Sequence, residues 1–270
     1  MRNEKERTIK IGDKRYSIVS DDEYLEKIDE EFEPDMVRLF RCLVNKDDYV
    51  LDIGANIGCT SLLLGDLSRK VISFEPSPTT FYYLERNVLV SGLTNISVQN
   101  YALGSKAGKA QISFSPNNRS GAFVADSTRG AIGHTKETIQ VKRLDDAVAM
   151  LRLAHIEFIK IDVEGFEKYV IEGARNTIDQ FKPSVVLELN HWCLNAFQRI
   201  SVPEFFDYLR SRFPILLAIE GDTYANLHND DESYSVMYHH IIHFKYMNIV
   251  AGFDDARFHR FHTSFSHKPL

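Results

Sequence analysis

The sequence predicts an α/β protein built on a doubly wound, mostly parallel sheet. Near-continuous apolar runs recur along its 270 residues, and helical segments separate most of them. Such runs are typical of parallel strands that are buried on both faces. A repeating strand–helix order is typical of one sheet with right-handed crossovers. The length allows one large domain of this kind with small additions.

Residues 1–45 form an extension that precedes the sheet. Alternating residues at 8–20 flank Gly12 and Asp13, which predicts a short hairpin outside the main sheet. Pro34 suits a first helical position, and apolar residues follow it at helical spacing. We therefore expect a hairpin followed by an amphipathic helix.

Residues 46–253 carry the alternating elements of the main domain. Strands are predicted at residues 49–53, 71–75, 95–101, 158–163, 185–189, 215–219 and 248–253. The first strand is followed by a predicted helix at 57–67. In the next helix Ser77 offers an N-cap, Pro78 a first-turn residue and Gly92 an end.

Two segments depart from this alternation. Residues 104–145 are richer in Gly, Ser, Asn and Thr, and have strand-like pieces at 110–114 and 138–143, so we expect a β-rich insertion there. We expect it above the carboxyl end of the sheet, where an insertion can shape an acceptor site. Residues 254–270 form a tail whose aromatic stripe either contacts a membrane surface, packs on the domain or is disordered.

Composition and charge exclude several classes of protein. The net charge of −6, with both signs mixed, argues against nucleic acid as the main partner and favours a small-molecule or glycan ligand. The charged N-terminus is unlike a signal peptide, and no apolar run is long enough to span a bilayer. Three widely spaced cysteines predict a reducing, cytoplasmic setting. The oligomeric state is not indicated.

The turn after the first strand predicts a cofactor site. Ligands of doubly wound sheets bind beyond the carboxyl ends of the strands. Gly54 allows a sharp turn and Gly58 opens the following helix, whose free N–H groups favour a carboxylate. The G-x-x-x-G spacing differs from that of dinucleotide binders and favours a nucleoside that bears an amino acid. Glu75, at the end of the second strand, can accept both ribose hydroxyls.

Four phrases together resemble the FkbM family of methyltransferases: D-I-G-A-N-I-G at 52–58, F-E-P at 74–76, N-Y-A-L-G at 100–104 and I-K-I-D-V-E-G-F-E at 159–167. The resemblance covers residues 50–190, and more weakly the chain up to 219. It implies a class I methyltransferase domain with seven strands, the last of them antiparallel. It also implies S-adenosylmethionine as methyl donor and hydroxyl oxygens as acceptors, here a sugar hydroxyl of a glycan, a lipid-linked saccharide or a glycosylated natural product.

The resemblance also implies roles for residues of these phrases. Those of the first phrase would surround the methionine part of the cofactor, Glu75 would hold the ribose, and residues of the third phrase would border the adenine. The predicted cofactor-binding residues are Asp52, Gly54, Ala55, Asn56, Gly58, Glu75, Pro76, Asn100, Ala102 and Asp162.

The chemistry is predicted at the ends of the fourth and fifth strands. An alcohol acceptor must lose its proton during methyl transfer, which requires a base or a metal. Lys160, Asp162 and Glu164 alternate, so strand geometry points them the same way. Asp162 is expected near the transferred methyl group, with Lys160 as its partner in the site or in a purely structural ion pair.

Two routes for removing the proton stay open. Glu188 and Asn190 share a face one strand away from Asp162, and these three oxygen ligands could hold Mg²⁺. Alternatively His191 acts as general base, because its pKa lies near neutrality. We favour the histidine, since no second acidic residue follows Glu188 to balance a divalent charge. Two other functions stay open as well: a non-catalytic S-adenosylmethionine binder, and a nicotinamide-dependent oxidoreductase with a variant turn.

Overall fold

The computed structural model describes residues 4–115, 117–124 and 133–268. Its strands are β1 (Lys5–Ile11), β2 (Lys14–Ser20), β3 (Tyr49–Ile53), β4 (Lys70–Phe74), β5 (Ile96–Gln99), β6 (Ala102–Leu103), β7 (Gly108–Ser115), β8 (Asn118–Val124), β9 (Thr135–Lys142), β10 (Phe158–Ile161), β11 (Ser184–Glu188), β12 (Ile215–Glu220), β13 (Thr223–Asn226), β14 (Asn248–Gly252) and β15 (Ser266–His267). Its α-helices are α1 (Tyr24–Lys27), α2 (Pro34–Leu43), α3 (Cys59–Leu67), α4 (Pro78–Ser91), α5 (Leu144–Leu151), α6 (Glu167–Gly173), α7 (Arg175–Phe181), α8 (His191–Cys193), α9 (Val202–Arg210), α10 (Asp230–His243) and α11 (His259–Ser264).

The N-terminal extension has the predicted form. β1 and β2 pair antiparallel in a two-stranded sheet of their own, with Gly12 in the left-handed region at the turn. α2 begins at Pro34, whose ring fixes a helical φ and whose missing N–H would have no partner in the first turn. Val37, Phe40 and Leu43 of α2 are buried, which anchors the extension to the main domain.

The main sheet is a mixed α/β sheet with nine strands rather than seven. Its order is β15-β13-β12-β14-β11-β10-β3-β4-β5. Five neighbouring strands of this sheet, β11, β10, β3, β4 and β5, are parallel. β14 lies antiparallel between β11 and β12, as predicted for the last strand. β13 and β15 extend the edge beyond β12. These two were not predicted because they are short and lack an apolar run.

Two hydrophobic cores lie on the two faces of this sheet. Successive strand residues point to opposite faces, so that Val50 joins one core and Leu51 the other. The first core is completed by α2, α3 and α4, and the second by α5, α6, α7, α9 and α10. Because both faces are covered, the parallel strands are apolar along almost their whole length.

The predicted insertion is a separate four-stranded sheet with the order β6-β9-β7-β8. β7 and β9 cover the two strand-like pieces, whereas β8 was not predicted because its N-R-S-G start is polar and contains glycine. Residues 116 and 125–132 of the insertion lie outside the described residues.

The C-terminal tail packs on the domain, which is one of the alternatives left open by the sequence. Phe258, Phe261 and Phe265 are buried in the first core, and Arg257 forms hydrogen bonds of 2.9 and 3.3 Å with the Asp48 carboxylate. These three phenylalanines therefore lie inside the protein rather than on its surface. No helix within the described ranges combines the length and the apolar character needed to cross a bilayer.

Candidate functional site

A cleft of about 680 Å³ opens at the carboxyl ends of β3, β4 and β10. Its floor contains the residues that directly follow these strands, Gly54, Glu75 and Asp162. The insertion forms its opposite wall, as predicted, through β7 and β8. The insertion residues that line the cleft are Ile112, Arg119, Ser120, Ala122 and Val124.

The turn after β3 has a conformation that requires glycine. Gly54 has φ +81°, and a Cβ atom on it would lie 1.8 Å from the carbonyl oxygen of Asp162. The N–H groups of Gly54 and Ala55 both donate to the carbonyl of Phe74, at 3.0 Å. Gly58 has φ +101° and is the N-cap of α3. The motif therefore brings three strand ends close together and leaves the start of α3 open.

Glu75 is held at the cleft by two backbone N–H groups. Its Oε2 accepts from Asn56 at 3.1 Å and its Oε1 accepts from Ser77 at 2.9 Å. The residue is 7% exposed, and burial raises its pKa to about 7 although both hydrogen bonds lower it. Each carboxylate oxygen retains a lone pair, so the side chain can accept further hydrogen bonds from the cleft.

Beyond Glu75, the cleft is bordered by Pro76, Tyr101 and Ala102. Asn100 directly precedes Tyr101, and its Nδ2 donates to the carbonyls of Glu75 at 2.9 Å and Pro76 at 3.1 Å. Asn100 therefore fixes the turn that carries Glu75.

Lys160 is a buried cation beneath the glycine turn. Its Nζ donates to the carbonyl of Gly54 at 3.0 Å and lies 3.1 Å from Oδ2 of Asp162 and 3.6 Å from Oδ1 of Asp52. Burial lowers the pKa of Lys160, but the attraction of Asp162 and Asp52 outweighs burial and raises it. Asp52 also accepts from Ser61 at 2.6 Å and is fully buried. Asp52 and Lys160 therefore support the turn from behind the cleft.

Two smaller recesses lie on the other side of Asp162, between the strand ends and the N-terminal extension. The strand-side recess, of about 490 Å³, is lined by Lys160, Asp162, Glu188 and Asn248 together with Glu33 and Met36. The helix-side recess, of about 330 Å³, reaches the start of α3. Its lining residues include Tyr24, Glu33, Met36, Ala55, Asn56, Thr60 and Asp162. Asp162 borders the cleft and both recesses.

Carboxyl groups converge beside Asp162. Glu188 has a buried Oε2 with no hydrogen-bond partner among the described residues. Burial raises the pKa of Glu188 well above its ordinary value, and Asp162 and Glu164 raise it further. Burial and Asp162 likewise raise the pKa of Glu164 to about 7. The structure thus brings Asp162 and Glu188 together, as the sequence predicted.

Asn190 and His191 are used differently from the prediction. Asn190 caps α8 by accepting from the Cys193 N–H at 3.1 Å, and its Nδ2 donates to Glu164 at 3.1 Å. The ring of His191 packs against His240 and Phe244, and burial lowers its pKa. Neither residue lies on the cleft or the recesses as the described residues outline them. Their predicted roles as metal ligand and general base are therefore not supported by their positions.

A metal site is not evident in the part of the chain that the structure describes. There, no group of three or more His, Cys, Asp and Glu side chains is arranged to hold an ion. The third predicted ligand, the side-chain oxygen Oδ1 of Asn190, accepts a hydrogen bond from the Cys193 N–H and caps α8.

Several residues of the site were not predicted from the sequence. Tyr24, Glu33 and Met36 come from the N-terminal extension, and Arg119 and Ser120 come from the insertion. These segments carry no motif and are far in sequence from the strand ends. Glu167 could have been predicted from the sequence, because it is the last residue of I-K-I-D-V-E-G-F-E at 159–167. Its fully buried Oε1 accepts from Val163 and Gly165 and holds the loop after β10.

Comparisons with known proteins agree with this geometry. The model of the methyltransferase FkbM domain matches residues 52–239, which include the glycine turn, Glu75, Asp162 and Glu188. The hexuronic acid methyltransferase AglP of Haloferax volcanii is 30% identical over 176 residues, which are 65% of this chain and 70% of that protein.

Two further relatives are more distant. The 31-O-demethyl-FK506 methyltransferase FkbM of Streptomyces tacrolimicus is 29% identical over 48% of this chain and 60% of its own length. The 2-O-methyltransferase NoeI of Sinorhizobium fredii is 28% identical over 50% of this chain and 61% of its own length. The chain thus spans about three fifths to seven tenths of these relatives. Since the family model covers well over half of the chain, the chain belongs to the FkbM family of methyltransferases.

Proposed function

We propose that this chain methylates a sugar hydroxyl oxygen with S-adenosylmethionine as methyl donor. The observation that carries the proposal is the convergence of Gly54, Glu75 and Asp162 on one cleft inside the matched family region. The names of two relatives specify transfer to an oxygen, and that of a third specifies a hexuronic acid. The acceptor class is taken from these relatives.

The residues of the cleft fit this cofactor. Glu75 offers free carboxylate lone pairs to ribose hydroxyls, which is the role predicted for it. Pro76 and Ala102 border the same region and suit the adenosine. The open start of α3 suits a carboxylate, because the first N–H groups of a helix have no partner within it.

When bound, the cofactor supplies an activated methyl group, so the chain has to align the acceptor and take up its proton. We assign the proton to the Asp162–Glu188 pair. Glu188 lines the strand-side recess with Asp162, and the Asp162 carboxylate adds to the effect of burial in raising the pKa of Glu188. Two adjacent carboxyl groups that share one proton still hold one negative charge, so that the pair can accept the acceptor proton as its oxygen gains the methyl group.

The first prediction separates this route from the two predicted from sequence. Glu188→Gln keeps the shape of the side chain but removes its acidity, and should lower kcat by about 10²- to 10⁴-fold. The affinity for S-adenosylhomocysteine should stay within about threefold, because Glu188 lies outside the adenosine cleft. Methyl transfer from isotope-labelled donor to uronic-acid and neutral-sugar glycans measures the first quantity, and calorimetry the second.

His191→Ala and chelation complete this experiment. Under the carboxylate route, His191→Ala and EDTA each leave turnover within about threefold. A large loss in His191→Ala with activity retained in Glu188→Gln would establish the histidine route instead. Loss on chelation, restored by Mg²⁺, would establish the metal. Binding of NAD without binding of S-adenosylhomocysteine would overturn the methyltransferase itself, whereas cofactor binding without transfer to any acceptor would favour the non-catalytic binder.

A further inference from the structure

We infer that Glu33, from the N-terminal extension, is the counter-charge for the ammonium group at the amino-acid end of the cofactor. The inference rests on the proposed use of S-adenosylmethionine. It gives the extension a role in cofactor binding, although the extension lies before the family region at 52–239.

The backbone at Glu33 is fixed from both sides in an unusual conformation. Glu33 has φ 35° and ψ 70°, in the left-handed region that non-glycine residues seldom adopt. Before it, Phe32 is buried, and its N–H donates to the backbone carbonyl of Lys10 in β1 at 2.8 Å. After it, Pro34 begins α2, and the Val37 N–H donates to the Glu33 carbonyl at 3.0 Å. Such strain persists only where the surrounding structure imposes it, and it often marks a functional site.

The carboxylate of Glu33 forms no hydrogen bond or ion pair with residues 4–115, 117–124 or 133–268, and it does not cap α2. Its neighbours differ in this respect, since Glu31 pairs with Lys10 at 3.1 Å and Asp35 with Arg38 at 3.4 Å. Glu33 instead borders both recesses, where it faces Asp162.

The recesses carry an excess of negative charge. Their carboxyl groups are Glu33, Asp162 and Glu188, and their cation is Lys160. The ammonium of Lys160 is already engaged by Gly54, Asp162 and Asp52. Glu33 is exposed to solvent, so its carboxylate is accessible to a ligand. The charges of Glu33 and Asp162 repel each other, and a cationic ligand would relieve this repulsion.

S-adenosylmethionine carries two cations, the sulfonium and the ammonium group, and the position of Glu33 favours the ammonium group as its partner. Asp162 and Glu188 lie on the side where the methyl group is expected, which leaves them for the sulfonium. Glu33 lies in the helix-side recess together with Asn56 and Thr60, at the start of the nine-residue helix α3. That helix start suits the carboxylate of the amino-acid end, so that the ammonium on the same carbon atom is placed opposite Glu33.

Calorimetry with two ligands tests this assignment. S-adenosylhomocysteine carries the amino-acid end, whereas 5′-methylthioadenosine has the same adenosine and thioether without it. Glu33→Gln should bind S-adenosylhomocysteine about tenfold more weakly and 5′-methylthioadenosine within about twofold of wild type. Asp35→Asn is the matched control, because it removes the same charge from a side chain that is 84% exposed and lies two residues away. It should leave both affinities unchanged.

Thermal unfolding of each variant separates binding from folding. If Glu33→Gln is poorly folded, Glu33→Asp keeps the charge, and it should retain more affinity for S-adenosylhomocysteine than Glu33→Ala. Unchanged binding of S-adenosylhomocysteine in Glu33→Gln, or an equal loss for both ligands, would overturn the inference while the proposed function stands. A wild-type chain that binds neither ligand would overturn the proposed function instead.

Discussion

At the scale of single residues, the site is built from carboxyl groups that burial makes hard to ionise. Glu75 and Glu164 have pKa values raised to about 7, and in both cases burial is the largest cause. Such groups are held in place by N–H donors rather than by cations: Glu75 accepts from two backbone N–H groups, and Glu164 from the Asn190 amide. A ligand that brings hydroxyl or ammonium donors therefore stabilises the ionised forms.

A substitution of Glu75 tests the proposed ribose site. Glu75→Ala removes a charge-assisted acceptor of ribose hydroxyls and should weaken binding of S-adenosylhomocysteine by about 1.5–3 kcal/mol. Calorimetry measures this loss, and circular dichroism checks that the turn at Asn56 and Ser77 still folds. Glu137→Ala is the comparison, because Glu137 accepts from Ser77 at 2.6 Å behind the same turn without bordering the cleft. Equal affinities of Glu75→Ala and wild type would place the ribose elsewhere.

Among the secondary-structure elements, β8 forms part of the wall of the cleft, and contacts at its two ends hold it in place. One end of β8 is bound to the N-terminal extension, because the Arg119 N–H donates to Asp22 at 2.9 Å and its guanidinium pairs with Asp21 and Asp22. At the other end, Phe123 stacks on Phe197 with ring centroids 3.6 Å apart. The two ends join the insertion to parts of the chain that are distant in sequence, and so set the width of the cleft.

A double-mutant cycle tests the interaction between Asp22 and Arg119. Asp22→Asn leaves the buried Arg119 guanidinium short of one counter-charge and should lower the free energy of unfolding by about 2–4 kcal/mol. Asp22→Asn combined with Arg119→Met should be less destabilising than the sum of the two, with a coupling of about 1–3 kcal/mol in urea denaturation.

The matched control is Asp13→Asn. It breaks an exposed pair with Arg41, whose N–O distance is 2.7 Å, and should cost less than about 1 kcal/mol. If the effects of Asp22→Asn and Arg119→Met on the free energy of unfolding are strictly additive, the two side chains do not stabilise the fold through their interaction.

At the scale of the whole molecule, the buried carboxyl groups make stability depend on pH. Burial raises the pKa of Glu167 to about 8, against an ordinary value of 4.5. The folded chain therefore binds this proton more tightly than the unfolded chain does, and the free energy of unfolding falls as pH rises. The contribution is fully present below about pH 4.5 and is lost as pH rises through about 8.

Glu167→Gln tests this dependence. The amide keeps an acceptor for Val163 and Gly165 but cannot ionise, so the fall in stability between pH 5 and pH 8 should shrink by on the order of 1–4 kcal/mol. Denaturant titrations across this range provide the measurement, with the exposed Asp35→Asn as control. A variant whose stability falls as steeply as that of wild type would assign the pH dependence to other groups.

Local sequence patterns predicted the strands, the helices and the floor of the cofactor cleft. Apolar runs located the parallel strands within a few residues, because burial on both faces leaves little freedom in composition. Gly54 and Glu75 were predicted together because a glycine turn and an acidic strand end are local features, and parallel strands bring their carboxyl ends to one edge. The convergence of Asp162 and Glu188 follows from the same rule for neighbouring strands.

Only the tertiary structure decided which side chains meet at the site. Period-two alternation could not show that Lys160 is buried under Gly54, or that Asn190 turns away to cap α8 with His191 beside it. Nor could it show that Glu33 borders the same recesses as Asp162, more than 100 residues away in sequence, since this depends on how α2 packs on the sheet. Local sequence fixes where strands and turns begin and end, whereas contacts between distant segments arise only when the whole core is packed.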